Sequence, residues 1–294
     1  MLVRSLLLGA TCAAAMVVPA AAADWAAVGA ALGKTGTVQP GEVYRVGLPR
    51  SDLKVTLDGV AIKPSLALGS WVAFHDMGGQ TMVMGDLVLT HDEINPVMSL
   101  LVENGLSITA LHNHVLRSSP ATMYMHIDGR GDAVKLATAI HAALAKSGTP
   151  MGPAPAAAPP APLDMDVPGV ERAIGGYKGT PNGGVLQFNI PRAETPKAGG
   201  MAVPTAMGSA IAINFQPTGG GKAAITGDFV LTADEVNPVI KALRANGIEV
   251  TALHNHMLDD EPRLFFMHFW ANDDATKLAG GLHAALEKVK VARP

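Results

Sequence analysis

The sequence predicts an α+β protein that contains one domain twice, and three observations support this fold class. Residues 85–144 and 227–286 align without a gap, and 32 of these 60 positions are identical. Each copy also has short segments in which apolar and polar residues alternate, as in the strands of a mainly antiparallel sheet. Two amphipathic helices are predicted in each copy, at 96–104 and 132–146 and at 238–246 and 274–288. We therefore expect a tandem duplication of a domain with a mainly antiparallel sheet and two packed helices.

The first residues have the pattern of a signal peptide. Arg4 provides a positive start, Leu6 to Val18 form an apolar run, and small residues lead to a cleavage site near Ala23. The run is too short and too rich in alanine to favour a membrane span. Cys12, the only cysteine, lacks the preceding residues of a lipid-attachment site. We expect export, to the periplasm or as a secreted protein, without a stable membrane anchor.

The remaining chain divides at a segment rich in proline and alanine. Residues 147–168 hold 7 of the 21 prolines and cannot pack a core, which predicts an extended linker. The expected domains are residues 24–146 and 169–294, and we expect the two repeats to pack as a pseudo-dimer that protects their edge strands. The net charge of −3 and the lack of a basic cluster argue against nucleic acid as a partner. The sequence has no phosphate-binding glycine loop, so we expect no nucleotide cofactor.

Two helix-start signals compete before the first long helix of each repeat. Thr90 and Glu93 have the spacing of a capping box. Asn95 is also a good N-cap, and Pro96 suits the first position of a helix. Because a proline six residues into a helix removes a hydrogen bond, we expect a short turn over 90–95 and a helix that begins at Pro96.

The most specific chemical signal is a histidine pattern that occurs in both repeats. Thr109 to His114 read Thr-Ala-Leu-His-Asn-His, and this hexapeptide returns 142 residues later. A third histidine follows twelve residues after the second one in each copy. The six candidate metal ligands are His112, His114 and His126, and His254, His256 and His268.

Strand geometry allows each set of three histidines to bind one ion. Alternation places Leu106, Ile108, Ala110, His112 and His114 on one face, with the two imidazoles about 6.5–7 Å apart along the strand. The third histidine joins that face if residues of the two neighbouring strands pair with an even sum of their numbers. Zinc or copper suits imidazole ligands. Three ligands leave one position for an activated water, so a hydrolytic role is open, although the sequence identifies no general base and no catalytic residue.

Several other residues are weaker candidates for this site. His141 and His283 lie on the last helix of each repeat and could be a further ligand or a partner of a ligand. Glu93 and Glu235 could act as carboxylate ligands, but the capping box also explains them. Asp86 and Asp228 follow a glycine and are interpreted as turn residues. The alternative function is a non-catalytic module that binds an unknown small molecule or a partner, with histidines that line a pocket or are structural.

The repeated blocks also resemble a known family. Gly85-Asp86, Asn95-Pro96, Thr109 to His114 and Met125-His126, with their second copies, resemble the LppY/LpqO-type family of secreted bacterial proteins, a domain of unknown function. Some members are lipoproteins, whereas this chain lacks a convincing lipid-attachment cysteine. The resemblance implies an exported protein with two tandem copies, and it implies no activity.

Overall fold

The computed structural model describes residues 23–152 and 162–294. Residues 1–22 of the predicted signal peptide and residues 153–161 of the predicted linker lie outside this part. The described chain is a mixed α/β structure with two repeated regions, each built on a six-stranded sheet. Its helices are all too short, or too polar, to cross a membrane.

The first repeat contains residues from Trp25 to Leu144. Its helices and strands are α1 (Trp25–Leu32), β1 (Thr37–Gln39), β2 (Val43–Pro49), β3 (Thr56–Leu57), β4 (Val60–Ala61), α2 (Pro64–Ala67), β5 (Gly69–Asp76), β6 (Thr81–Thr90), α3 (His91–Glu103), β7 (Ser107–His112), β8 (Thr122–Gly131) and α4 (Ala133–Leu144). The sheet has the strand order β1-β2-β5-β6-β8-β7, and its pairs are antiparallel. The strand β7, which ends at His112, is therefore at the edge of the sheet.

The second repeat follows the same plan. Its elements are α5 (Val167–Ala173), β9 (Thr180–Asn182), β10 (Val185–Pro191), β11 (Lys197–Ala198), β12 (Met201–Ala202), a 3₁₀ turn (Thr205–Met207), β13 (Ala210–Gly219), β14 (Lys222–Leu231), α6 (Ala233–Ala245), β15 (Glu249–His254), β16 (Asp260–Glu261), β17 (Phe265–Asp274) and α7 (Ala275–Leu286). The antiparallel sheet has the order β15-β17-β14-β13-β10-β9, so β15 occupies the edge that β7 occupies in the first repeat.

Besides the two predicted helices, each repeat has a helix near its start, and the first repeat also has the short helix α2. Helix α1 packs against α4, and α5 packs against α7. The Asp24 carboxylate caps α1 by accepting hydrogen bonds from two backbone amides, and Gly33 ends it in the left-handed conformation. Helix α5 begins at Val167, inside the segment predicted as linker, because Asp166 caps it and proline is tolerated in a first helical turn.

Helix α3 begins at His91, so the prediction of a start at Pro96 is wrong. The capping box is formed: the Thr90 side chain accepts from the backbone of Glu93, and the Glu93 carboxylate accepts from the Thr90 amide at 2.8 Å. Pro96 lies on the exposed side of the helix. The carbonyl of Asp92, which loses its helical partner to the proline, is therefore near water, and the cost of the missing hydrogen bond stays small.

The two faces of each sheet have different partners. In the first repeat, Met125 and Ile127 point to a core that contains the helices. Val88 and Tyr124 point the opposite way and pack in a cluster with Trp270 of the second repeat. The longer helices therefore cover the outer faces. The short helix α2 lies between the inner faces of the two sheets, which position the histidines between them.

Candidate metal centre

A β-bulge turns the first histidine pair towards the second repeat. Ile108 pairs with Ile127 and packs on the helix side, but after the bulge Ala110 pairs with His126. The expectation that Ile108 and His112 share a face is wrong, because the extra residue reverses the alternation of the side chains. His112 pairs with Tyr124, and the even sum of these numbers places His126 on the face of His112.

The second repeat has the same bulge and the same register. Val250 pairs with Phe269 before the bulge, and Ala252 pairs with His268 after it. His254 ends strand β15, and His256 lies two residues further along in the following loop. In each repeat, three imidazoles therefore lie on the inner face of the sheet, near one of its edges.

The six histidines form one cluster between the repeats, where the sequence predicts two separate sites. Ring centroids are 3.5 Å apart for His112 and His254, which stack on each other. The other contacts between repeats are His114 with His268 at 3.7 Å and His126 with His256 at 3.8 Å. The sequence could not show this meeting, because it depends on how two sheets pack rather than on the spacing within one.

Hydrogen bonds between the edge strands hold the two halves of the cluster together. The side-chain amide of Asn113 donates to the Thr251 carbonyl at 3.0 Å, and that of Asn255 donates to the Thr109 carbonyl at 2.8 Å. Both asparagines lie between the two histidines of their motif. Their hydrogen bonds link β7 of the first repeat to β15 of the second.

The imidazoles direct their Nε2 atoms into the cluster. The Nδ1 atoms of His112, His254 and His268 lie 3.0, 3.1 and 2.7 Å from backbone carbonyl oxygens, which requires an Nδ1–H donor and leaves Nε2 with a free lone pair. In all six histidines Nε2 is buried and makes no hydrogen bond of proper geometry with the described residues, although carboxylate oxygens lie near two of them. An unpaired buried polar atom costs about 1–3 kcal/mol, and a cation or a hydrogen-bond donor among these lone pairs would offset that cost.

Three overlapping groups of three histidines have donor atoms within 4.8 Å of one another. The first group is the predicted set His112, His114 and His126. The other two groups combine the repeats: they are His112 with His254 and His268, and His126 with His254 and His256. The structure thus brings together all six predicted ligands, and those of the second repeat are grouped with histidines of the first.

Two aspartates join the cluster, although the sequence suggests that they are turn residues. Asp86 lies in the middle of β6 and pairs with His126, and Asp228 in β14 pairs with His268. An Asp86 oxygen is 3.5 Å from Nε2 of His114, and an Asp228 oxygen is 3.0 Å from Nε2 of His256. In each aspartate the other oxygen, Oδ1, is buried without a hydrogen-bond partner in the described chain. The signal that could have found them is their place in an apolar strand, where a carboxylate needs a partner.

Glycine precedes each aspartate because its neighbours leave no space for a side chain. A Cβ atom on Gly85 would be 2.9 Å from the Trp71 carbonyl oxygen and from Val72, and one on Gly227 would overlap the Ala212 carbonyl. The glycine therefore allows a close approach of neighbouring strands at the row that carries the aspartate.

Burial favours the uncharged forms of the histidines and of the two aspartates. It therefore lowers the pKa of the imidazoles and raises the pKa of the carboxyl groups. Burial lowers the pKa of His112 and of His254 to about 4. It also lowers the pKa of the other four histidines well below the ordinary value. Burial, and then repulsion from Asp228, raises the pKa of Asp86 well above its usual value, and burial raises that of Asp228. Neutral imidazoles at neutral pH are the form that binds metal ions.

The weaker candidates belong to other parts of the fold. Both carboxylate oxygens of Glu93 bind Arg50, at 2.7 and 3.1 Å, and Glu235 binds Arg192 in the same way. These glutamates are helix caps fixed by buried arginines.

The two candidate histidines on the last helices also lie away from the cluster. The Nδ1 atom of His141 is 2.8 Å from the Leu32 carbonyl at the end of α1. His283 lies beside Gly175, just after α5. We assign both to the packing of helices.

A cleft between the inner faces of the sheets opens onto the cluster. Its volume is about 830 Å³, within the usual range of small-molecule sites. Asp86, His114, Asp228, His256 and His268 line its inner end. The cluster can therefore contact a molecule that binds in this cleft.

Similar solved structures include a shell protein of a bacterial microcompartment and the protein EtuB. A trimeric shell protein, PduB, is 12% identical, with 88% of this chain and 95% of that chain covered and a TM-score of 0.22. EtuB from Clostridium kluyveri is 8% identical over 85% of this chain and 90% of its own, with a TM-score of 0.20. Scores this low support no functional argument. No curated protein matches the chain.

The family comparison agrees with the duplication in the sequence and in the fold. The family described as Domain of Unknown Function (DUF1259) matches twice, over residues 26–146 and again over residues 169–288. Together these matches include most of the 294 residues. The chain therefore belongs to the DUF1259 family and contains two tandem copies of its domain.

Proposed function

We propose that the protein binds a transition-metal ion in the cluster between its repeats. The observation that carries this proposal is the set of six buried Nε2 atoms that make no hydrogen bond of proper geometry with the described residues. A cation would satisfy several of them at once. The Nδ1 hydrogen bonds to backbone carbonyls support the same proposal, because such bonds orient histidine ligands in metal sites.

The donor atoms favour zinc or copper, and one ion per chain. Imidazole suits both metals, and Asp86 or Asp228 can add a carboxylate oxygen. Any two of the three histidine groups share a member, and each Nε2 binds a single ion. We therefore expect one ion shared by the repeats instead of one ion in each.

The cleft favours chemistry at this ion over a purely structural role. Three histidines leave a coordination position for water or for a ligand. Asp86 and Asp228 line the same cleft and have raised pKa values, so they are the candidates for the general base that the sequence does not identify. In the competing hypothesis, the cluster binds no ion and the cleft is a non-catalytic binding site.

Metal analysis separates these hypotheses. The protein, produced without a histidine tag, is incubated with zinc or copper, desalted and measured by elemental analysis. We expect one ion per chain and its loss in His112→Ala with His254→Ala, while the exposed His91→Ala remains loaded as a control. Wild-type protein that retains no ion, or a double variant that retains one, would refute metal binding by the cluster.

We also propose that the protein works outside the cytoplasm, in the periplasm or as a secreted protein. The support is the signal-peptide pattern of residues 1–23, together with the resemblance to LppY/LpqO-type proteins. Sequencing the amino terminus of protein from the native cell envelope and medium tests this. A mature chain that starts near Asp24 agrees with export, and a chain that still starts at Met1 contradicts it.

A further inference from the structure

Arg45 is a partly buried cation without a salt bridge among the described residues. Burial lowers its pKa, and the charge that acts on this pKa, by raising it, is that of Asp86 on a nearby strand. Arg45 lies on β2 and lines the cleft, with its guanidinium 3.9 Å from the centroid of the Trp71 ring. Its hydrogen bond to protein goes to the carbonyl of Ala206, a neutral group. No carboxylate oxygen of the described residues lies within salt-bridge distance of it, although buried charges are normally paired.

Two other arginines of this fold are fully buried, and each of them is paired with two carboxylates. Arg50 binds Asp52 at 2.8 Å and Glu93 at 2.7 Å. Arg192 binds Glu194 and Glu235 in the same way in the second repeat. Arg45 has no such pair, and the second repeat has Gln187 at the matching position of β10. The second repeat also has Ala212 where the first has Trp71, so the stacked arginine is a feature of the first repeat alone.

Strand register places this cation in the same cleft as the metal centre. Across the first sheet, Gly47 pairs with Trp71, Trp71 with Asp86, and Asp86 with His126. Arg45 is two residues from Gly47 and shares its face. Since neighbouring strands are about 4.8 Å apart, the backbones of Gly47 and His126 are separated by about 14 Å. The Arg45 side chain and the imidazoles shorten this span to the length of a small molecule.

The walls of the cleft define the rest of the ligand. Gln187, Asn189, Asn214 and Thr226 supply neutral amide and hydroxyl groups. Asp86 and Asp228, where they are ionised, repel a group with two negative charges more strongly than a group with one, whereas Arg45 and a metal ion attract an anion. The guanidinium also offers a planar pair of donors that matches a carboxylate.

We propose that the cleft binds a hydroxylated small molecule with one carboxylate group, which Arg45 holds while the other end of the molecule faces the metal centre. This inference rests on the proposed metal site for the orientation of the ligand, but the pairing with Arg45 does not require the ion. Arg45 is a binding residue for the carboxylate. Because the second repeat has the neutral Gln187 at the matching position, the ligand binds in one orientation.

Calorimetric titration of the full chain, with and without bound metal, tests the proposal. The probes are D-glucuronate, D-glucose and D-glucose 6-phosphate, which share one ring and carry a carboxylate, no charge and a phosphate. We expect saturable binding of glucuronate, at least tenfold weaker binding of glucose and of the phosphate, and at least tenfold weaker binding of glucuronate by Arg45→Gln. This variant copies the residue of the second repeat.

Two further variants control for folding and for general charge. Arg45→Lys keeps the cation and should recover part of the affinity for glucuronate. Arg117→Gln removes a cation that is exposed and paired elsewhere, and it should leave the affinity unchanged. Metal content is measured for every variant, and we expect it to remain that of the wild type.

The outcomes separate this inference from the proposed function. The carboxylate inference is overturned if glucuronate does not bind, if Arg45→Gln binds it as well as the wild type, or if glucose or the phosphate binds as tightly. If the wild type retains no metal but binds glucuronate through Arg45, the metal proposal fails and the carboxylate site stands. If metal binds and glucuronate does not, the reverse is true.

Discussion

Acidification should destabilise the metal-free protein because the histidine cluster is held neutral by burial. The folded-state pKa of His112 and of His254 is about 4, below the ordinary value of 6.5. Between these values the unfolded chain binds protons that the folded chain does not bind. The free energy of unfolding therefore falls as pH falls from about 6.5 towards about 4.

The size of the effect follows from the two pKa values. At about pH 5, relative to about pH 7.5, each of these histidines lowers the free energy of unfolding by about 2 kcal/mol, so the pair contributes about 4 kcal/mol. The other four histidines act in the same direction. The raised pKa values of Asp86 and Asp228 act in the opposite direction, but two carboxyl groups face six imidazoles. A loss of this size is a large part of the stability of an ordinary domain.

Urea unfolding of chelator-treated protein, followed by circular dichroism at the two pH values, measures this loss. His112→Phe with His254→Phe keeps two stacked rings without titrating groups, and it should reduce the pH dependence by about 4 kcal/mol. The exposed His91→Phe should leave it unchanged. Equal stability of the wild type at both pH values would show that these histidines are not held neutral, and the reasoning would fail.

Four other substitutions test the packing of the fold and the position of the site. Asn255→Ala removes a hydrogen bond between the repeats, so we expect about 1 kcal/mol less stability in urea and weaker metal retention on dialysis against a chelator; unchanged retention would refute its positioning role. Arg50→Met leaves Glu93 without its buried partner and should cost about 3–5 kcal/mol in urea unfolding, with metal content unchanged. Gly227→Ala should cost at least about 1–3 kcal/mol because its Cβ overlaps a strand carbonyl, whereas Gly280→Ala in α7, with open space around it, should stabilise by about 1 kcal/mol. Equal thermal melting points for the two glycine variants would contradict this difference.

The sequence predicts local features of this fold better than distant ones. The duplication and the antiparallel sheets follow from repeated alternation of apolar and polar residues. The capping box of Thr90 and Glu93 can also be found in the sequence. Whether the helix begins there or at Pro96 cannot be decided from the sequence, because this depends on which side of α3 faces water. The bulge after Ile108 has no clear signal in the sequence, since one extra residue in a strand leaves the composition unchanged.

The candidate site also has features that the sequence predicts and features that it does not. The six histidines can be found from their spacing, and the even register between His112 and Tyr124 satisfies the geometric condition set from the sequence. Their assembly into one cluster depends on the contact of two sheets far apart in the chain. Asp86 was missed because its neighbour Gly85 suggests a turn, although this glycine allows two strands to approach closely. The metal ion itself remains a prediction.

The replacement of Arg45 by Gln187 at corresponding positions has a consequence for evolution. In a dimer of identical chains, every mutation appears on both sides of the symmetry axis, and a lone positive charge at one end of a shared cavity cannot arise. A chain that joins both halves escapes this constraint, because each half can change by itself. Tyr124 and Phe266, which stack on equivalent histidines, show a second such difference. Fusion of the two halves thus permits a cavity whose two ends differ in charge and in shape.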